Sequence, residues 1–115
     1  MGTFVISKRI SGDYKFEYTS RKGKPIFTSN SYELRMDCET DVELLSSVLD
    51  KCLFMRFKTT KGKFFFKVVL DDEVKAISRK YATELMVQKG IDEIIKYGKK
   101  SEILDFTTSQ VIFND

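Results

Sequence analysis

The 115-residue sequence has no histidine, no tryptophan, one proline and two cysteines. Without histidine there is no Ser-His-Asp or Cys-His relay, and the usual base near neutral pH is missing. Any enzymatic chemistry would fall to lysine, tyrosine or carboxylates, and no enzymatic activity is expected. Cys38 and Cys52 are too far apart for a Cys-x-x-Cys motif. Zinc centres draw on clustered Cys and His, so neither a metal nor a cofactor is expected. Cys38 falls on the apolar side of a helix-like stretch and reads as a buried, inert thiol. One proline and six glycines argue against a linker-rich or disordered chain. No apolar run approaches the ~20 residues of a membrane span. The start, Met1-Gly2-Thr3-Phe4-Val5-Ile6, has neither the basic opening of a signal peptide nor the myristoylation pattern. The expectation is a cytoplasmic protein with no membrane attachment.

What is present is ordinary in bulk and uneven in placement. A hydrophobic content of 42% with 32% charged residues suits a globular domain, and the length allows one domain over residues 1–115. Residues 1–30 carry Lys8, Arg9, Lys15, Arg21, Lys22 and Lys24 against Asp13 and Glu17. Residues 31–50 carry Arg35 against Glu33, Asp37, Glu39, Asp41, Glu43 and Asp50. Residues 51–69 carry Lys51, Arg56, Lys58, Lys61, Lys63 and Lys67 with no acid. Strand-like regions are basic and the first helix-like region is acidic.

Hydrophobic periodicity sets the elements. Residues 4–8 read as a strand, followed by a turn at Ser11-Gly12-Asp13. Tyr14, Phe16 and Tyr18 then alternate with Lys15, Glu17 and Thr19, the pattern of a half-buried strand. A turn at Arg21-Lys22-Gly23-Lys24 leads to a short strand at Pro25–Ser29, completing an antiparallel meander. From Glu33 the period becomes helical: Leu34, Cys38, Val42, Leu45 and Leu49 form an apolar stripe that Leu44 and Val48 widen. Asn30 and Ser31 stand where an N-cap belongs, and Asn30 with Glu33 resembles a capping box. The cycle restarts with strands at Leu53–Lys58, 63–70 and Glu73–Ser78, turning at Thr60-Lys61-Gly62 and Asp71-Asp72. Residues 63–70 are so apolar that a central strand covered on much of both faces is expected. A helix follows over 83–97, with Met86, Val87, Ile91, Ile94 and Ile95 inward and Gly98 at its C-cap. Residues 103–106 and 111–113 are further short apolar runs, the first a strand.

The second half repeats the first. Ser29-Asn30-Ser31-Tyr32 recurs forty-nine positions later as Ser78-Arg79-Lys80-Tyr81. At that offset Cys38 matches Val87, Val42 matches Ile91, Leu45 matches Ile94, and residues 53–57 match 4–8. Each unit is strand–strand–strand–helix leading into a further strand. One unit alone would not bury both its helix stripe and its sheet face. Two units side by side would. The expected fold is α+β: tandem repeats at about 3–50 and 51–106, with a C-terminal tail at 107–115. They form one sheet with both helices on one face, related by a pseudo-two-fold axis.

An aromatic-rich hairpin, a Ser-x-x-Tyr closing the third strand and a helix with a Gly-Ile pair resemble the YegP-like family. This is a bacterial family of uncharacterised function, often built as tandem repeats. Phe4-Val5-Ile6-Ser7-Lys8, Tyr14-Lys15-Phe16 and Ser29-Asn30-Ser31-Tyr32 resemble its first unit. Ala76-Ile77-Ser78-Arg79-Lys80-Tyr81 and Lys89-Gly90-Ile91 resemble its second. The resemblance implies two βββαβ units in one antiparallel sheet, each unit's last strand joining the other unit. It brings no catalytic residues. Two departures stand out: Thr40-Asp41-Val42 replaces the Asn-Gly-Ile of the family, and Glu33-Leu34 follows Tyr32 where a small polar cap is usual; Thr83 supplies that cap in the second unit. Glycine inside a helix costs ~1 kcal/mol relative to alanine, so Gly90 is expected to admit a close backbone approach that Asp41 forbids.

The motif residues Ser29, Tyr32, Ser78, Tyr81 and Gly90 read as structural. Serine closes the strand, and the tyrosine packs its ring while its hydroxyl finds a backbone partner. The acidic side of the first helix, with Glu33, Asp37, Glu39 and Glu43, reads as a solvated face. Lys61-Gly62-Lys63 lacks the spacing of a phosphate loop. The aromatic strands suggest a base-stacking platform, but their rings alternate with the lysines and point away from them; Phe65 alone shares a face with Lys63 and Lys67. The expected role is a non-enzymatic binding module, monomeric or weakly dimeric, whose partner, a protein or a nucleic acid, the sequence leaves open. Two alternatives are a nucleic-acid binder using Lys8, Arg9, Lys15, Arg56, Lys58, Lys63 and Lys67, and a structural or stress-related homo-oligomer.

Overall fold

A computed structural model of the chain describes residues 2–107. Its first three strands are β1 (Thr3–Lys8), β2 (Tyr14–Thr19) and β3 (Pro25–Ser29), followed by helix α1 (Arg35–Val48). The pattern returns as β4 (Leu53–Lys58), β5 (Phe64–Leu70), β6 (Glu73–Ser78) and helix α2 (Glu84–Tyr97), and ends in β7 (Glu102–Asp105). The fold is α+β, an open seven-stranded sheet in the order β4-β5-β6-β3-β2-β1-β7. Both helices cover one face. Their inward residues Cys38, Val42, Leu45, Val87, Ile91 and Ile94 share one core with Phe4, Ile6, Phe16, Tyr18, Phe66, Val68 and Ala76. The apolar run at 111–113 and the rest of the tail beyond residue 107 lie outside the described residues.

The two meanders meet along β3 and β6, with Thr28 opposite Ile77. The sheet was expected to be antiparallel throughout, but β7 runs parallel to β1, with Phe4 beside Ile103 and Ile6 beside Asp105. The cause is topological. The end of β6 lies beside the start of β3, which is also the end where β1 begins. A strand that starts there after α2 must run in the direction of β1.

The repeat offset also shifts along the chain. Phe4 lies opposite Tyr18 in β1–β2, and Phe54 lies opposite Val68 in β4–β5. Residue 54 therefore corresponds to residue 4, one position away from the expected match of 53–57 with 4–8. A one-residue slip moves every side chain of a strand to the other face. Arg56 takes the place of Ile6, and Leu53, Met55 and Phe57 face away from the helices. The forty-nine-residue offset holds from β3 onward, where Ser29 and Ser78 make the same hydrogen bonds.

Local expectations held in the turns and failed at one helix start. Gly12, Gly23 and Gly62 adopt positive φ in the hairpin turns, the conformation that favours glycine. Thr83 caps α2 by accepting from the Met86 amide at 3.2 Å. Helix α1 has no side-chain cap; Leu34 holds the N-cap position, while the Asn30 amide reaches the Val74 carbonyl on β6 at 3.3 Å. Asn30 stands four residues before that N-cap, outside the reach of the first turn, and its amide joins neighbouring strands instead. Leu34, Leu44, Met86 and Ile95, expected inward, are exposed, because each helix contacts the sheet along a narrower stripe. Gly98 keeps right-handed helical geometry. Its missing side chain instead makes room for Leu49, whose Cδ1 lies 2.4 Å from where a Cβ would stand.

Candidate binding surface

The Ser-x-x-Tyr motif is a strand-to-helix clamp built the same way twice. Ser29 Oγ accepts from the Phe16 amide at 2.9 Å and donates to the Asn30 carbonyl at 2.7 Å. Ser78 Oγ accepts from the Phe66 amide at 2.9 Å and donates to the Arg79 carbonyl at 2.7 Å. The tyrosine backbones then pair across, Tyr32 with Tyr14 and Tyr81 with Phe64. Every hydroxyl lone pair and proton so used serves the backbone, as the structural reading expects.

The tyrosine hydroxyls part company. Neither has the expected backbone partner. Tyr32 donates to Asp41 Oδ2 on α1 at 2.6 Å, and Lys75 Nζ lies 3.4 Å from the same oxygen. Tyr81 Oη instead rests against Gly90, 2.8 Å from the position of an added Cβ. What approaches Gly90 closely is therefore a side-chain hydroxyl, not a backbone. Lys75 reaches the helix face because the β5–β6 ladder shifts register between Val68 and Val69, and a bulge turns the extra residue across the sheet. The same shift between Tyr18 and Thr19 turns Ile26 toward α2, where it lines a depression with Tyr81 and Gly90. A Tyr–Asp–Lys cluster thus stands in one half where the other has Tyr–Gly–Ile.

Burial, then the Asp41 hydrogen bond and charge, push the Tyr32 phenol up. The Glu73 carboxylate, with Asp41, holds the Lys75 ammonium above its usual range. Burial pushes the Cys38 thiol up to about 12 and the Cys52 thiol up to about 11. Neutral thiols are poor nucleophiles, and both cysteines are buried and unpaired. Among the described residues no group of three or more Cys, Asp or Glu is placed to hold a metal. Nor is any helix among them long and apolar enough to cross a membrane.

The face of the sheet away from the helices is divided. In the first half it presents Thr3, Ser7, Lys15, Glu17, Thr19 and Thr28 around Val5, with Lys15 and Glu17 paired at 3.5 Å. In the second half it presents Leu53, Met55, Phe57, Phe65, Val69, Val74 and Ile77. Lys67 is the one cation among these, its ammonium 4.8 Å from the centre of the Phe57 ring, which stacks on Phe65 at 5.2 Å. Strand β5, expected to be central and covered on both faces, is next to the edge strand and covered on one. Among the described residues nothing covers its apolar outer face.

The seven basic residues singled out in the sequence do not converge. Because β1 and β4 run in opposite directions, the turn carrying Arg9 and the turn carrying Lys63 lie at opposite ends of the sheet. Lys8 sits 5.7 Å over the Tyr14 ring and Lys58 5.6 Å over the Phe64 ring, both on the helix side. Arg56 bonds Gln88 on α2. Lys15 and Lys67 occupy the open face, in different halves. The aromatics Phe16, Tyr18 and Phe66 are wholly buried, so they offer no stacking platform. The apolar second-half face was missed in the sequence, because the alternation Leu53, Met55, Phe57 reads as an inward set and only the pairing with β5 turns it outward.

No family model matches the chain. It is 24% identical over 112 residues to a UPF0339 protein of Photorhabdus laumondii, covering 96% of this chain and 98% of the relative. It is 25% identical over 108 residues to a UPF0339 protein of Acinetobacter baylyi, covering 92% and 97%. The solution structure of Escherichia coli yegP, described as a protein of unknown function, shares the fold with a TM-score of 0.80, 22% identity and coverage of 91% and 92%. A UPF0339 protein of Shewanella oneidensis gives 0.77, 20% identity and 90% of each chain. Sequence likeness along nearly the whole chain and a shared fold together support assigning it to the YegP-like family.

Proposed function

We propose that this chain is a non-enzymatic binding module whose docking surface is the open sheet face of its second half. The observation that carries this is the uncovered run of Leu53, Met55, Phe57, Phe65 and Ile77, three of them at least 40% exposed. Contiguous apolar surface on a folded chain marks interaction sites. The helix-covered core is complete without these residues, so they do not serve it. The partner is a protein, because a nucleic acid needs cations gathered on one surface, and here they are split between two ends and two faces. Co-purification from the native host tests this. Met55→Lys with Ile77→Lys is expected to abolish the partner, while Thr28→Lys with Thr19→Lys on the first-half face retains it. An unchanged partner set overturns the reading. So does salt-steep nucleic-acid binding, or a turnover activity lost with one Lys, Tyr or carboxylate.

A further inference from the structure

The two outer edges of the meanders are built to the same plan and finished differently. Along β1 lies β7, a parallel strand of sequence Glu-Ile-Leu-Asp, with its Ile103 beside Phe4 and its Asp105 beside Ile6. Asp105 is held by Arg35, the first residue of α1. Strand β4 corresponds to β1 residue by residue through its pairing with β5, yet it ends the sheet. An edge strand presents unpaired amides and carbonyls to any extended chain. Natural edges are blunted by bulges, proline, short length or charge; β4 spans six residues, pairs regularly with β5 and contains no proline, and its charges, Arg56 and Lys58, are of one sign, so they deter a basic strand and not an acidic one. Beside it, against the start of α2, lies a groove of about 230 Å³ lined by Arg56, Lys58, Phe64, Glu84 and Val87.

We infer that β4 accepts an extended acidic-apolar segment of a partner protein as an eighth strand, seated as β7 is seated on β1. This deepens the docking proposed above and rests on it. Carrying the β1–β7 register onto β4 places the partner's first apolar residue beside Phe54 and its second beside Met55, on the open apolar face. The following residue falls beside Arg56, where an acid is matched directly. Around that seat Arg56, Lys58 and Lys67 outnumber Glu84, the residue that replaces Arg35. The same charges argue against a second copy as occupant. Two β4 strands laid antiparallel would bring two Arg56 and two Lys58 together with no acid on either strand. Strand addition supplies affinity through main-chain bonds and selectivity through alternate side chains.

A fluorescent peptide with the sequence of residues 101–106, Ser-Glu-Ile-Leu-Asp-Phe, is the probe, and a version with lysine at both acidic positions is the control. The intact chain is expected to bind the acidic peptide saturably below about 1 mM and at least about tenfold more tightly than the control. Hydrogen exchange should slow along Leu53–Lys58. Arg56→Glu, at an exposed position, should reverse the order of the two peptides. Equal binding of both, no saturation, protection elsewhere, or a β4-mediated dimer in sedimentation would each overturn the inference. Loss of the native partner from Met55→Lys with Ile77→Lys, without peptide binding, would leave the docking face standing and remove only the strand addition.

Discussion

At the edge of the first half, β7 lies along β1 and Ile6 has no exposed surface; at the edge of the second, no strand among the described residues lies along β4, and Arg56 holds the place of Ile6. Behind the sheet, the first half holds a half-buried Tyr32–Asp41–Lys75 cluster where the second packs Tyr81 on Gly90 beside Ile26. The backbone clamp at Ser29 and Ser78 is identical in the two halves to within 0.1 Å. What the halves share is therefore what holds strand to helix. What separates them is edge, surface and one half-buried cluster, and these are the places where one half has been freed from mere packing.

Exchanging the edge residues gives the largest expected effect. Ile6→Arg places an unpaired guanidinium in the core and should destabilise by about 3–5 kcal/mol. That is a large share of the roughly 5–15 kcal/mol by which a domain is stable. Arg56→Ile loses only the exposed bond to Gln88 and should stay within about 1 kcal/mol of the parent. Urea unfolding of the two variants measures both. Equal costs would show that the edges are equivalent after all and that the register of β4 has been misassigned.

Why β4 was misread in the sequence is a matter of which face a strand shows. Leu53, Met55 and Phe57 are the more apolar set, and Phe54, Arg56 and Lys58 the more polar, so alternation alone points the wrong set inward. The register comes from β5, where Phe66 must enter the core and Arg56 lies opposite it. A hydrogen-bonded neighbour decided it, and single-strand periodicity carries no such information. Turns, by contrast, were legible because Gly12, Gly62 and the Asp71-Asp72 pair act locally through positive φ. The Asp41–Gly90 difference was also visible, but its meaning was not. Lys75 comes to Asp41 through a bulge and across 34 residues of chain, and the partner of Asn30 lies on a strand 44 residues away.

The Tyr32–Asp41–Lys75 cluster offers a sharper comparison at smaller cost. Asp41→Gly removes the acceptor of Tyr32 and one of the two carboxylates on Lys75, which keeps Glu73 at 2.9 Å, and should cost about 1–2 kcal/mol from the orphaned phenol and a weakened helix. Lys75→Ile alone should cost about 1 kcal/mol, since Tyr32 still bonds Asp41. Made together they reproduce the Gly–Ile arrangement of the second half. The double variant should be more stable than the sum of the singles by about 1 kcal/mol, the coupling expected of contacting residues. Strict additivity in chemical denaturation would mean that Lys75 and Asp41 do not act as a pair.

The smallest effect tests what Gly90 is for. Replacing it with alanine removes a helix-interior glycine, which by propensity alone favours the folded state by up to about 1 kcal/mol. Against that, the new Cβ would stand 2.8 Å from Tyr81 Oη and 3.4 Å from its ring carbon Cζ. The tyrosine is buried, so moving it strains the core by an amount similar to or larger than the propensity gain. Gly90→Ala should therefore be destabilising by up to about 1 kcal/mol. Removing the hydroxyl as well, with Tyr81→Phe, leaves only the ordinary 3.4 Å contact. In that background the same Gly90→Ala should turn neutral or stabilising. A glycine kept for backbone approach would be insensitive to Tyr81→Phe, and the sign change separates the two explanations.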